Sequence, residues 1–172
     1  MEATGSEMVH VHPLLVAQLL LLLILANGVP VIAKKILGSV LEHPLDHEIT
    51  LADGQRLFGH SKTIRGVVLS IIVTTLSAPW IGFGWTIGPL ASAMAMIGDL
   101  FSSFIKRRMK LAPGSMALGL DQIPESLLPA IACRGFLPIT AMDILLVTAL
   151  FFFSELVASR VLYRFKIRDR PY

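Results

Sequence analysis

Residues 66–98 read GVVLSIIVTTLSAPWIGFGWTIGPLASAMAMIG, thirty-three positions without a charge. A single span needs about 20 apolar residues to cross a hydrocarbon core of about 30 Å. This run is too long for one crossing. Its middle carries Pro79, Gly82 and Gly84, which break a helix, and Trp80 and Trp85, which suit a membrane interface. The stretch therefore predicts two antiparallel helices joined by a tight turn. Lys62 and Arg65 stand before it, and Lys106, Arg107 and Arg108 after it. Cations at both open ends place those ends on the cytoplasmic side.

The rest of the chain agrees with a membrane setting. Of 172 residues, 54% are hydrophobic and only 16% charged, against roughly 25% charged in soluble domains. Val11 to Ala33 is uncharged and long enough to span. It has neither the basic start nor the cleavage site of a signal peptide, since Glu2 and Glu7 precede it. Pro138 to Tyr163 reads as a span that includes Asp143 and Glu155. The segment 117–133 is weaker, holding Asp121, Pro124, Glu125 and Pro129.

If the C-terminal cations Arg160, Arg164, Lys166, Arg168 and Arg170 lie inside, the weak segment must also cross. The expectation is an all-α polytopic membrane protein of one domain with about five transmembrane helices. The spans fall near 11–35, 63–80, 83–105, 117–133 and 138–163. The N-terminus is outside, the C-terminus is cytoplasmic, and loops 36–62 and 106–120 are cytoplasmic. Only Arg134, of fifteen Lys and Arg, then lies outside. The expected location is the cytoplasmic (inner) membrane. The net charge of +3 is explained by this topology rather than by nucleic acid. One cysteine, Cys133, excludes an intrachain disulfide.

Three polar constellations interrupt the apolar pattern. On the third helix Gly88, Ser92, Ala95, Asp99, Ser102 or Ser103, and Lys106 recur at steps of three or four and share a face. Small residues let helices approach closely in lipid, so this face points into the bundle. An aspartate within a span costs roughly 2.5–3.5 kcal/mol on insertion scales and marks a functional site by default. The alternative is a structural ion pair of Asp99 with Lys106 or another helix. The Lys106–Arg108 cluster has a bland reading as a topological anchor.

The loop holding Asp46 and the run Asp53 to Gly66 offers glycines, hydroxyls, Lys62 and Arg65 to a phosphate chain. Gly54 and Gly59 have P-loop spacing, but His60 and Ser61 intervene before Lys62-Thr63. No buried strand precedes the loop, which excludes the P-loop fold. The third constellation, the loop Lys110 to Gln122, carries Asp121 back toward Asp99. Two carboxylates beside a basic rim can hold a divalent ion on a polyphosphate. Asp121 could instead be a helix N-cap. A transporter would also explain an intramembrane acid, and a noncatalytic scaffold would let both acids be replaced by Ala.

Taken in order, the fragments resemble the CDP-archaeol synthase family, a branch of the CTP:phosphatidate cytidylyltransferases. They are Ala26-Asn27 with Pro30-Val31; Pro44-Leu45-Asp46; Asp53-Gly54 with Arg56-Leu57-Phe58-Gly59; and Lys62-Thr63 with Arg65-Gly66. Then follow Gly98-Asp99-Leu100, Ser103, Lys106-Arg107-Arg108, Pro113-Gly114 and Leu120-Asp121-Gln122. The sequence departs from the family at His60-Ser61 and Ile64. It carries Glu155 and Ser159 where the family has His and Asn.

The resemblance implies that a membrane lipid phosphate, of archaetidic or phosphatidic acid type, and CTP give CDP-lipid and pyrophosphate with Mg²⁺. It leaves open a second metal ion, the tails of the lipid and the oligomeric state. On this reading Asp99 and Asp121 bind metal. Lys62, Arg65, Lys106 and Arg107 neutralise phosphates, and Thr63 and Ser103 bond to phosphate or metal. Asn27 and Asp46 contribute by position.

Overall fold

The computed structural model describes residues 10–112 and 114–165. The Glu2, Glu7, Lys166, Arg168 and Arg170 of the orientation argument, and Pro113, lie outside them. Within them the chain is all α: α1 Pro13–Leu37, α2 Ile64–Ile81, α3 Ile87–Arg108, α4 Gln122–Cys133 and α5 Ala141–Arg164. Four helices, α1, α2, α3 and α5, are long and apolar enough to cross a membrane.

The α2–α3 hairpin forms where the uncharged run is broken. Gly82 takes a left-handed conformation (φ +105°), and the Phe83 amide bonds back to the Ala78 carbonyl at 2.9 Å. That is the glycine-terminated helix end favoured because glycine bears no Cβ penalty there. The returning helix packs tightly on the first. A Cβ at Gly88 would lie 2.6 Å from Thr75 Cα.

α4 differs from the expected 117–133. It starts at Gln122 and has 12 residues, about 18 Å of helix, well short of a hydrocarbon core. Gly119 sits at φ +81°, and side chains compete for the backbone before the helix starts. Asp121 Oδ2 accepts from the Ala117 amide at 3.0 Å and Gln122 Oε1 from the Gly119 amide at 2.9 Å. Pro124 fits in the first turn, where an amide has no helical partner. α4 begins deep beside α3: a Cβ at Gly98 would lie 2.3 Å from the Pro124 carbonyl oxygen. Gly98 is ten residues before the end of α3, about 15 Å along its axis. The described chain after α3, residues 109–112 and 114–121, thus returns inward before α4 starts.

Asp143, an acid inside the fifth apolar segment, closes the opposite end of the bundle. With Thr140 it forms a capping box for α5. Its oxygens also accept from the His12 amide at 2.7 Å and lie 2.8 Å from His12 Nδ1. Gln18 Nε2 donates to the Ile81 carbonyl at 2.7 Å, so the start of α1 and the α2–α3 turn share this face. Between the faces lies an apolar core that includes Leu19, Leu22, Leu23, Ala91, Val147 and Phe151. Loops 38–63 and 109–121 share the other face.

Candidate active site

The sequence places Lys62 and Asp121 in two loops and Asp99 and Lys106 on α3, and folding gathers them. A cavity of about 600 Å³ opens on the loop face, lined by Asn27, Lys62, Thr63, Asp99, Lys106 and Asp121 among others. Thr63 caps α2, its Oγ1 accepting from the Gly66 amide at 3.2 Å. That cap places Lys62 one residue outside the helix. Its Nζ lies 2.5 Å from both carboxylate oxygens of Asp99. Lys106, two turns beyond Asp99 on α3, reaches instead across to Asp121: Nζ to Oδ1 is 2.7 Å, and it donates to the Ser115 carbonyl at 3.2 Å. The structural pair considered from sequence, Asp99 with Lys106, is replaced by two pairs that each join different segments.

Glu125, 8% exposed, also lines the cavity and faces Asp99 from α4. Burial works against the charge on Lys62. Asp99 at contact, backed by Glu125 and Asp121, outweighs that burial and holds the ammonium above its ordinary pKa. Asp121 does not cap α4 with its side chain. Its Oδ1 is buried and lacks a hydrogen bond of good geometry although the Lys106 ammonium stands beside it.

The CarS-like CDP-archaeol synthase family matches this sequence over residues 12–83 and 81–172. The chain belongs to that family. Among relatives, the CDP-archaeol synthase of Sulfurisphaera tokodaii is 31% identical over 135 residues, 75% of this chain and 81% of that one. The Saccharolobus solfataricus protein of the same name is 34% identical over the same shares. That of Pyrococcus furiosus is 40% identical over 107 residues, 56% of this chain and 60% of its own. A solved structure, described as an intramembrane enzyme for archaeal membrane lipid biosynthesis, has the same fold. It superposes with a TM-score of 0.67 at 23% identity, covering 80% of this chain and 90% of that chain.

Seven of the ten residues singled out from the CDP-archaeol synthase resemblance line the cavity: Asn27, Lys62, Thr63, Arg65, Asp99, Lys106 and Asp121. Asn27 also donates to the Leu23 carbonyl at 3.0 Å. Arg65 spends its guanidinium on the carbonyls of Gly38 and Val40, fastening the end of α1 to the loop.

The other three stand elsewhere. Asp46 is buried and organises loop 38–63. It accepts from the amides of Glu48 at 3.1 Å, Phe58 at 3.2 Å and Gly59 at 2.9 Å, and pairs with Arg56 at 3.3 Å. A carboxylate with that many donors has no lone pair to spare for a substrate. Arg107 points to the Ala112 carbonyl at 3.0 Å and holds loop 109–121. Ser103 is buried in α3, away from the cavity lining. The basic cluster thus divides its work. Lys106 serves the cavity, Arg107 one loop, and Arg108 the other, through Asp53 Oδ1 at 2.5 Å and the carbonyls of Gln55 and Arg56.

Sequence reasoning named neither Glu125 nor the cavity-lining Lys34 and Lys35 as site residues, and it noted Glu155 and Ser159 only as departures. Glu125 follows Asp121 by four positions, one helical turn, which was the available signal.

The Asp46 network makes an acid-sensitive loop. Burial opposes its charge, but the three amides and Arg56 outweigh it and hold the carboxyl below its ordinary value. A depressed pKa contributes stability that is complete above the unfolded value of about 3.9 and is lost as pH falls through the folded one. The amide resonances of Phe58 and Gly59 should therefore keep their folded positions down to about pH 3.9 and shift only below it. Resonances that titrate above that value, or not at all, contradict this assignment.

A divalent ion fits the carboxylates. The acids offer only hard oxygen donors, and Asp121 Oδ1 is an under-satisfied acceptor. Among the described residues no three His, Cys, Asp or Glu side chains form a ready metal cage. Mg²⁺ does not require such a cage: in general it takes one or two carboxylates and completes its shell with phosphate oxygens and water.

Proposed function

We propose that this chain carries out CTP-dependent cytidylyl transfer to a membrane lipid phosphate at the loop-face cavity, releasing pyrophosphate and leaving CDP-lipid. The observation that carries the reading is the meeting of Asp99, Asp121, Lys62 and Lys106 in one cavity, drawn from three separate parts of the sequence: α3, the loop before α2 and the loop before α4. The loop face is the cytoplasmic one, and the protein sits in the inner membrane. This orientation rests on the cation distribution.

The reaction forms a bond from a lipid phosphate oxygen to the α-phosphorus of CTP and breaks the bond to pyrophosphate. The nucleophile is already an anion near neutral pH, so no strong base is required. The obstacles are repulsion between two anions and charge growing on the leaving group. Asp99 and Asp121 would hold Mg²⁺, which when bound supplies Lewis-acid neutralisation of the triphosphate. Lys62 and Lys106 put two fixed cations where phosphate charge gathers. The start of α4 adds the positive end of a helix dipole at mid-depth, a device seen in membrane sites for anions. Lys34 and Lys35 close the last turn of α1 at the mouth. There they meet the acceptor phosphate at headgroup level, while its tails remain in lipid.

On the far side of the cavity the described residues pack a mainly apolar core, which favours an enzyme site at one face over a transport path. The test is purified protein with labelled CTP, Mg²⁺ and a panel of ether- and ester-linked lipid phosphates. Pyrophosphate release that requires the lipid is the expected result. Release without lipid, or none with any lipid phosphate, overturns the reading.

A further inference from the structure

We infer that Lys62 and Lys106 make the site select a metal–nucleoside triphosphate complex over a free divalent cation, by occupying both candidate metal carboxylates until phosphate arrives. The inference rests on the proposed reaction and concerns what governs entry to its site.

Each acid already has its cation. Both oxygens of Asp99 are 2.5 Å from Lys62 Nζ, and Asp121 Oδ1 is 2.7 Å from Lys106 Nζ. The four side chains sum to zero charge. A divalent ion entering by itself must displace an ammonium or share a carboxylate with it at close range. A displaced ammonium in this part-buried setting loses its counter-charge, which is costly. The neighbouring acid that could receive Lys62, Glu125, faces the same Asp99.

A triphosphate changes the balance. Its oxygens offer new anionic partners to both lysines, whose four-carbon stems swing easily. The carboxylates are then released to the metal, and every charge stays paired. Metal and nucleotide therefore bind as a linked pair, and linkage makes the effect reciprocal. Removing a lysine removes the competitor, so the acid becomes available to a bare cation.

The experiment is titration of the full chain in detergent with Mn²⁺ alone, reading free Mn²⁺ by electron paramagnetic resonance, for wild type, Lys62→Met and Lys106→Met. Lys62→Met is expected to bind Mn²⁺ without nucleotide at least about tenfold more tightly than wild type. Lys106→Met should shift the same way, and adding Asp99→Asn to Lys62→Met should cancel the gain. Calorimetry of wild type should show CTP binding strengthened by Mg²⁺. If both lysine variants bind Mn²⁺ no better than wild type, the inference is wrong. It is also wrong if wild type binds CTP equally with Mg²⁺ and with chelator. Should Lys62→Met fail to fold, Lys106→Met reads the same effect at the second pair. None of these readouts uses turnover, so they stand apart from the lipid-dependent assay of the reaction itself.

Discussion

Asp99→Asn and Asp121→Asn should each lower CDP-lipid formation by about 10²–10³-fold or more, the scale on which loss of a single charge-stabilising group is felt in an enzyme. Each change keeps shape and removes one negative charge from a cavity that must hold a metal against a triphosphate. The two differ in what they leave behind. Asp99→Asn strands the Lys62 ammonium, which donates to the two Asp99 oxygens. The pair is part-buried, so breaking it from one side should cost less than a fully buried pair's about 3–5 kcal/mol, and this variant should still lose some stability. Asp121→Asn leaves Lys106 its bond to the Ser115 carbonyl and should fold nearly as wild type. Pairing Asp99→Asn with Lys62→Met removes the stranded charge. That double variant should regain stability but not turnover. Lipid-dependent pyrophosphate release, measured on monodisperse protein, checks both. Wild-type turnover in both single variants would mean these acids do not hold the metal.

Gly98→Ala should be the most damaging glycine-to-alanine change among the described residues. The added carbon would sit 2.3 Å from the Pro124 carbonyl oxygen, 2.5 Å from its carbon and 2.7 Å from the Glu125 amide nitrogen. All three neighbours are backbone, so no side chain can rotate aside. α4 must move off α3. Overpacking of this kind costs about 1–3 kcal/mol and sometimes more. The move also shifts Glu125 and Asp121 relative to Asp99, so activity should fall further than stability alone explains. Gly28→Ala is the control, because a Cβ there meets nothing within 4 Å. In a helix interior Ala is favoured over Gly by about 1 kcal/mol, so this variant should unfold no lower than wild type. A thermal unfolding series of both variants settles the comparison, and equal midpoints would dismiss the close approach at Gly98.

The family relation and the five helices were legible because both depend on local pattern. Uncharged runs, a Pro-Gly break and motifs in order survive without knowledge of packing. The placement of Asp99 with the loop acid and two lysines was legible for a related reason. Helical phase and the side of the membrane bring them to one end of the bundle. Asp46 and Arg107 were assigned to the site on motif alone, but their side chains hold loops. A motif reports that a residue matters and does not say whether it touches substrate or shapes the backbone that does. Asp143 looked like an acid in a span. It is a helix cap, explained by Thr140 three residues before it.

By itself, the sequence determined a membrane bundle with its polar chemistry gathered at one face, since the cost of charge in lipid leaves few other arrangements. Only the tertiary structure decided which lysine meets which acid, that Glu125 joins them, and that α4 starts mid-depth. Those outcomes turn on a close contact between Gly98 and Pro124, residues 26 positions apart in the numbering. No local periodicity encodes how two backbones will meet.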